Sequence, residues 1–266
     1  MKKANSAISV LSALVLASGF SLRAAEPSVP PANVKNGPLD VVLQDKYSKS
    51  SGLLKVSFNG KQLLRGDNNY LRIKNSEGKR VILQTKFDTA SVYTTEKTAG
   101  GDVVCKFAKK FLEKAGAAPL AAMDTTMTIG ASSITVQCRA TALADLNFDG
   151  YEANPLRMGF SMTAQNMKGW TVEAKIGEDL TMAPIEIPFV KEHFNLNKGY
   201  ESVVFSGDGM SVSLSGENCA FRISRYSDTS CEIYAGLQKS TNGAPYSLKK
   251  GESFAFSFTS AFAKQQ

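Results

Sequence analysis

The sequence predicts an all-β chain folded as a large two-sheet antiparallel β-sandwich of about sixteen short strands. Three observations carry this expectation. Apolar and polar residues alternate over most of 39–262, turn signals recur every eight to twelve residues or so, and no long stretch keeps a helical period. The closing stretch, Ser253 to Phe262, shows the alternation most plainly. Phe254, Phe256, Phe258 and Phe262 alternate with Ala255, Ser257, Thr259 and Ala261, so the rings leave one face of a strand as an aromatic wall. Each ring is worth about 1.5–3 kcal/mol on burial, and the rest of the chain must cover it.

Taken in order, residues 1–25 read as an export signal. Lys2 and Lys3 precede Ala7 to Phe20, an apolar run shorter than the roughly 20 residues needed to span a bilayer. Small residues at −3 and −1 fit cleavage after Gly19 or Ser21, whereas a cut after Ala25 leaves Arg23 at −3, so the site falls within 19–25. The absence of a nearby cysteine predicts no lipoprotein anchor. Residues 26–38, with Pro27, Pro30, Pro31 and Pro38, read as a stiff polar linker, and 39–266 as a single domain. The expected location is the periplasm or the extracellular space, with no transmembrane segment once the signal is removed. Of 31 basic residues, Lys2, Lys3 and Arg23 fall within 1–25; the remaining 28 face 24 acidic ones, a net +4, or +5 where cleavage retains Arg23. That modest excess contains no basic block and does not suit nucleic acid.

The first strand is expected at Leu39 to Gln44. Leu53 to Phe58 and Lys61 to Leu64 flank Asn59-Gly60, the dipeptide of a tight hairpin turn. Tyr70 to Lys74, Lys79 to Gln84 and Ala90 to Thr95 follow. Three long alternations come next, through Val103–Phe111, Met123–Ile129 and Ile134–Ala142, the first interrupted by Lys109. Between the first two, Gly116 and Pro119 reduce a helix-like composition to a loop with at most one helical turn. Asp145 to Leu156 reads as a polar loop. Met158 to Ala164 and the alternation Trp170, Val172, Ala174, Ile176 resume the strands, and Pro184 and Pro188 put Ile185 to Ile187 at a sheet edge or outside it. Hairpins then turn at Gly207-Asp208-Gly209 and at Tyr226 to Thr229.

Three stretches together resemble the β-supersandwich domains of the galactose-mutarotase-like group, found with glycoside hydrolases and polysaccharide lyases. They are GLLKVSFNGKQLL, VVFSGDGMSVSLSG…AFRISRY and PYSLKKGESFAFSFTSAF. The resemblance implies two large antiparallel sheets packed face to face, with any ligand on a concave sheet or its rim. The epimerase chemistry of the group needs two histidines and a glutamate, and His193 is the one histidine here. No local motif assembles the Tyr, His, Asn or Arg set of the lyases.

The candidate site residues follow from that expectation. Pyranose faces stack on aromatic rings, and Tyr151, Tyr200 and Tyr226 lie in loop-like segments, whereas Trp170 shares the phase of a core-facing strand. Arg222 and Arg225 offer donors to a hydroxyl or carboxylate, or form internal salt bridges. Asp145, Asn147 and Asp149 match the first half of a calcium loop closed by Gly150, but position 12 is Leu156 and lacks the bidentate carboxylate. A structural calcium ion and ordinary loop capping both fit those residues. Cys105, Cys138, Cys219 and Cys231 allow three disulfide pairings in an oxidising compartment, or act as buried thiols. The sequence therefore reads as an exported, non-catalytic β-sandwich that binds carbohydrate or assists glycan processing. The alternatives are an envelope structural or protein-interaction module and, third, a polysaccharide lyase or glycoside hydrolase.

Overall fold

The computed structural model describes residues 33–43, 53–88, 92–148, 156–163, 166–184, 199–227, 230–237 and 247–265. Residues 1–25, expected as an export signal, lie outside them, as do Tyr151, Asp149 and His193. In chain order the strands are β1 (Asn33–Asn36), β2 (Leu39–Leu43), β3 (Leu53–Phe58), β4 (Lys61–Lys74), β5 (Arg80–Gln84), β6 (Val92–Lys97), β7 (Val103–Phe111), β8 (Ala121–Ile129), β9 (Ser133–Ala142) and β10 (Leu146–Phe148). They continue with β11 (Leu156–Thr163), β12 (Thr171–Ile176), β13 (Asp179–Pro184), β14 (Ser202–Gly207), β15 (Met210–Glu217), β16 (Cys219–Ser227), β17 (Ser230–Leu237), β18 (Ser247–Leu248) and β19 (Ser253–Lys264). A 3-10 turn, Thr85–Phe87, follows β5, and among the described residues no helix is long and apolar enough to cross a membrane.

All pairings are antiparallel, and they form two sheets. The first runs β1-β2-β3-β4-β11-β17-β16, with β5 and β10 attached beside β4 and β18 beside β10. The second runs β13-β12-β14-β15-β19-β9-β8-β7-β6. The Phe strand β19 is thus the fifth of nine strands, central in its sheet, bonded to β15 on one side and β9 on the other. Its rings meet aromatics of the opposite sheet. Phe262 lies 5.7 Å from Phe58 of β3, Phe254 6.0 Å from Phe148 of β10, and Phe258 6.0 Å from Phe221 of β16. The last two pairs are edge to face, the arrangement that the ring quadrupole favours. This cross-sheet contact is the cover that the aromatic wall demands.

Turn chemistry sets the register at both ends of the sandwich. Asn59 and Gly60 have φ of 50° and 79°, as a tight hairpin requires. The residue link between β15 and β16 is a corner, where the chain leaves the second sheet for the first through Asn218 alone, at φ 51°. Gly216 makes that corner feasible. A Cβ there would fall 2.4 Å from the Ser257 carbonyl oxygen and 2.7 Å from the Cys219 Cβ.

Several expectations shift. Residues 33–36, expected within the linker, form strand β1, which pairs with β2 and buries Val34. Residues 65–69, rich in turn formers, are absorbed into the long β4, whose register shifts against both β3 and β11 allow that composition. The segment after Phe111 holds no helix; it turns back from a bridge between Gln84 and Leu112 into β8. Part of the polar loop after Asp145 is strand β10, whose Leu146 and Phe148 are buried. Two apolar side chains outweigh the loop-like polarity around them.

Candidate functional site

The outward face of the nine-stranded sheet carries a groove of about 360 Å³. Its walls come from the polar phase of three neighbouring strands: Asp124 and Thr126 of β8, Gln137 and Arg139 of β9, and Ala255 and Ser257 of β19. The corner after β15 closes one end with Glu217 and Asn218. Side chains alternate along each strand, so the inward neighbours Cys138 and Phe256 are buried beneath the floor.

The sheet register brings the groups together. Asp124 sits directly opposite Arg139, so a carboxylate and a guanidinium are cross-strand neighbours. The Arg139 Nε donates to the Ser253 Oγ at 3.2 Å, which lays the guanidinium toward β19. Ala255, opposite Arg139, keeps the floor low. Next to the groove, the Thr135 and Thr259 hydroxyls are 3.0 Å apart. The groove therefore gathers two carboxylates, a guanidinium, two amides and two hydroxyls. Such a set can hydrogen-bond a polyhydroxylated ligand in both directions.

The Cys138 thiol is buried below the floor, and burial disfavours the thiolate, pushing the group up to about 12 despite its contact with the Thr125 hydroxyl. Burial raises Cys105 and Cys219 to about 12 as well. All three are free thiols, and the Cys231 side chain lies outside the described residues.

The sequence-based candidates within the described residues lie elsewhere. Tyr200 is not a surface residue: it is 2% exposed and exchanges two 2.7 Å backbone hydrogen bonds with Phe221, which draws its ring into the core. Arg222 is half-buried on β16 of the other sheet, opposite Tyr234. Arg225 and Tyr226 belong to the same strand, with side chains outside the described set, as is all of Tyr151. Neither Tyr200 nor Arg222 lines the groove.

Of the calcium candidates, Asp145 accepts from the Lys250 N–H at 3.0 Å and from the Lys249 Nζ at 2.9 Å, one bond to each oxygen. Those bonds, the backbone one foremost, hold its carboxyl below the ordinary value. Asn147 is exposed in β10, opposite Lys74 and Ser247, while Asp149 lies outside the described residues. Among the described residues no group of three His, Cys, Asp or Glu is placed to hold a metal ion.

With the two sheets and the groove in view, solved structures supply the likeness. The GalM/aldose epimerase homologue from C. elegans matches with a TM-score of 0.56 at 11% identity, over 90% of this chain and 100% of that one. The chain has a galactose-mutarotase-like fold. Galactose 1-epimerase from Lactobacillus acidophilus gives 0.55 at 9% identity, over 88% and 94% of the two chains. A glycoside hydrolase family 97 enzyme from Pseudoalteromonas, solved with acarbose, gives 0.52 at 11% identity, over 88% of this chain and 36% of that one. No protein-family model and no curated protein sequence matches the chain. At these identities the mutarotase-like likeness is one of fold alone.

Sequence reading missed Asp124, Gln137, Arg139 and Glu217 because each looks like an ordinary solvated residue on a half-buried strand. A signal was present nonetheless. Pairing Met123–Ile129 with Ile134–Ala142 as a tight hairpin already sets Asp124 against Arg139.

Proposed function

We propose that this is an exported protein that binds carbohydrate in the outer groove without transforming it. The observation that carries the proposal is the groove itself, a concentration of paired hydrogen-bonding groups on the exposed face of a mutarotase-like sandwich. Sugars offer alternating hydroxyl donors and acceptors, and the Asp124–Arg139 neighbours with Gln137 and Ser257 complement that pattern. Export is supported by the charged start and the apolar run of residues 1–25. The test is a glycan array followed by calorimetric titration with the retained sugar and analysis of the recovered ligand. Retention of unchanged sugar, with affinity falling about tenfold or more in Arg139→Ala, is the expected result. Retention of nothing overturns binding; cleaved or epimerised sugar overturns the non-catalytic part and makes Asp124 and Glu217 the first carboxylates to replace. Sequencing the amino terminus of the protein recovered from the envelope or medium tests export.

A second reading has its own observation. Among the described residues strand β13 is an edge of the nine-stranded sheet, and it exposes Leu180 and Met182, at 55% and 57%, on one phase. An extended segment of a partner protein could add to that edge by backbone pairing. A pull-down from envelope extract that loses its partner on Leu180→Lys substitution would favour this reading over sugar binding.

A further inference from the structure

The groove does not end at β8. A second hollow of about 210 Å³ lies beside it, lined by Thr94 of β6, by Lys106 and Ala108 of β7, and by Asp124 and Thr126, which both hollows share. We infer that the two form one track across the strands, and that its ligand is an unbranched, uncharged oligosaccharide. This rests on the carbohydrate reading above and specifies its ligand.

The register supplies the argument. Thr94 pairs with Lys106, Lys106 with Thr126, Thr126 with Gln137, Gln137 with Ser257, and Ser257 with Glu217. One outward residue from each of six adjacent strands therefore stands in a single row perpendicular to the strands, and every one bears a hydrogen-bonding group. Neighbouring strands lie about 4.8 Å apart, so the row runs about 24 Å, the length of about four pyranose rings laid end to end. A single sugar would use a fraction of it. The row beside it reads Ala108, Asp124, Arg139, Ala255, with a small residue at either end that leaves room along the track.

Charge decides between neutral and acidic glycans. The Lys106 Nζ lies 3.1 Å from the Glu96 carboxylate, and Arg139 faces Asp124. Glu217 at the far end adds a negative charge that would repel a uronate. Both cations on the track thus stand beside an acidic neighbour, which suits hydroxyl groups rather than carboxylates.

The test is calorimetric titration of the full chain with neutral hexose oligomers, from monosaccharide to hexasaccharide, and with uronate oligomers of the same lengths, the linkages chosen from the glycan array. Affinity is expected to climb about tenfold or more between monosaccharide and tetrasaccharide and then level off. Thr94→Ala and Lys106→Ala should abolish the gain between disaccharide and tetrasaccharide, with thermal unfolding unchanged as the control for folding. A monosaccharide that binds as tightly as the tetrasaccharide overturns the track while leaving the carbohydrate reading intact. Uronate oligomers binding more tightly than neutral ones overturn the uncharged assignment. Binding of no sugar of any length overturns both.

Discussion

Lys109 is the residue at which the chain departs furthest from what its pattern favours. It sits on the inward phase of β7 between Phe107 and Phe111, opposite Met123, and is 2% exposed. Burial lowers its pKa from 10.5 to about 8, with the Asp88 carboxylate acting in the opposite direction. Between about pH 8 and 10.5 the unfolded chain binds more protons at this site than the folded one, so stability rises with pH across that window. Below pH 8 the cost of the buried cation is fully present. Lys109→Met should therefore raise stability at pH 7 by about 1–3 kcal/mol in urea denaturation and abolish that alkaline rise. Asp145 gives a second expectation at this scale. Both its oxygens already accept hydrogen bonds from the Lys249–Lys250 turn, so calcium added to chelator-treated protein should leave the melting temperature unchanged.

At the scale of elements, β19 is the strand on which the second sheet depends. It supplies a row of rings to the opposite sheet and a ladder to both neighbours. Phe258→Ala removes the ring that meets Phe221 and should cost about 3–5 kcal/mol in chemical denaturation. Truncation before Ser253 should yield insoluble or molten protein; a truncated form that still melts cooperatively would refute the strand's central role. The alternation that made β19 legible also located β7, β8 and β9, because one face of each is buried and a period of two is then forced. Short or bulged elements were harder to see. Strand β10 has only Leu146 and Phe148 to declare it, and the middle of β4 is written in turn residues. The groove was hidden for a different reason. Its residues come from β8, β9, β15 and β19, and beyond the β8–β9 hairpin what joins them is register between strands that are far apart in sequence. Looking for aromatics in loops led instead to Tyr200, which the core takes in.

At the scale of the molecule, the two sheets are fastened at one end by side chains from both. Lys61, in the first sheet after the Asn59-Gly60 turn, pairs with Asp208 at the tip of the β14–β15 hairpin of the second. Asp208 also accepts from the Trp170 Nε1 at 3.0 Å, and the Lys61 ammonium lies 4.9 Å from the centre of the Trp170 ring. The indole packs flat against the hairpin: a Cβ on Gly207 would fall 2.2 Å from it. The Lys61 bond foremost, then the Trp170 bond, hold the Asp208 carboxyl below its ordinary 3.8. Its contribution is therefore present above about pH 4 and is lost as the pH falls through the lowered value. Asp208→Ala should lower the melting temperature at pH 7 and remove part of the acid sensitivity, whereas Gly207→Ala should disturb the packing of the indole at every pH.

Trp170 is the only tryptophan of the chain, fully buried and bonded at the place where the sheets are joined. The protein thus carries its own optical gauge. Parting of the sandwich at that end would hydrate the indole and move its fluorescence to longer wavelength, without any label and apart from changes elsewhere. Unfolding followed at this one emission can be set against the circular dichroism of the whole, which will show whether the fastened end opens first or with the rest.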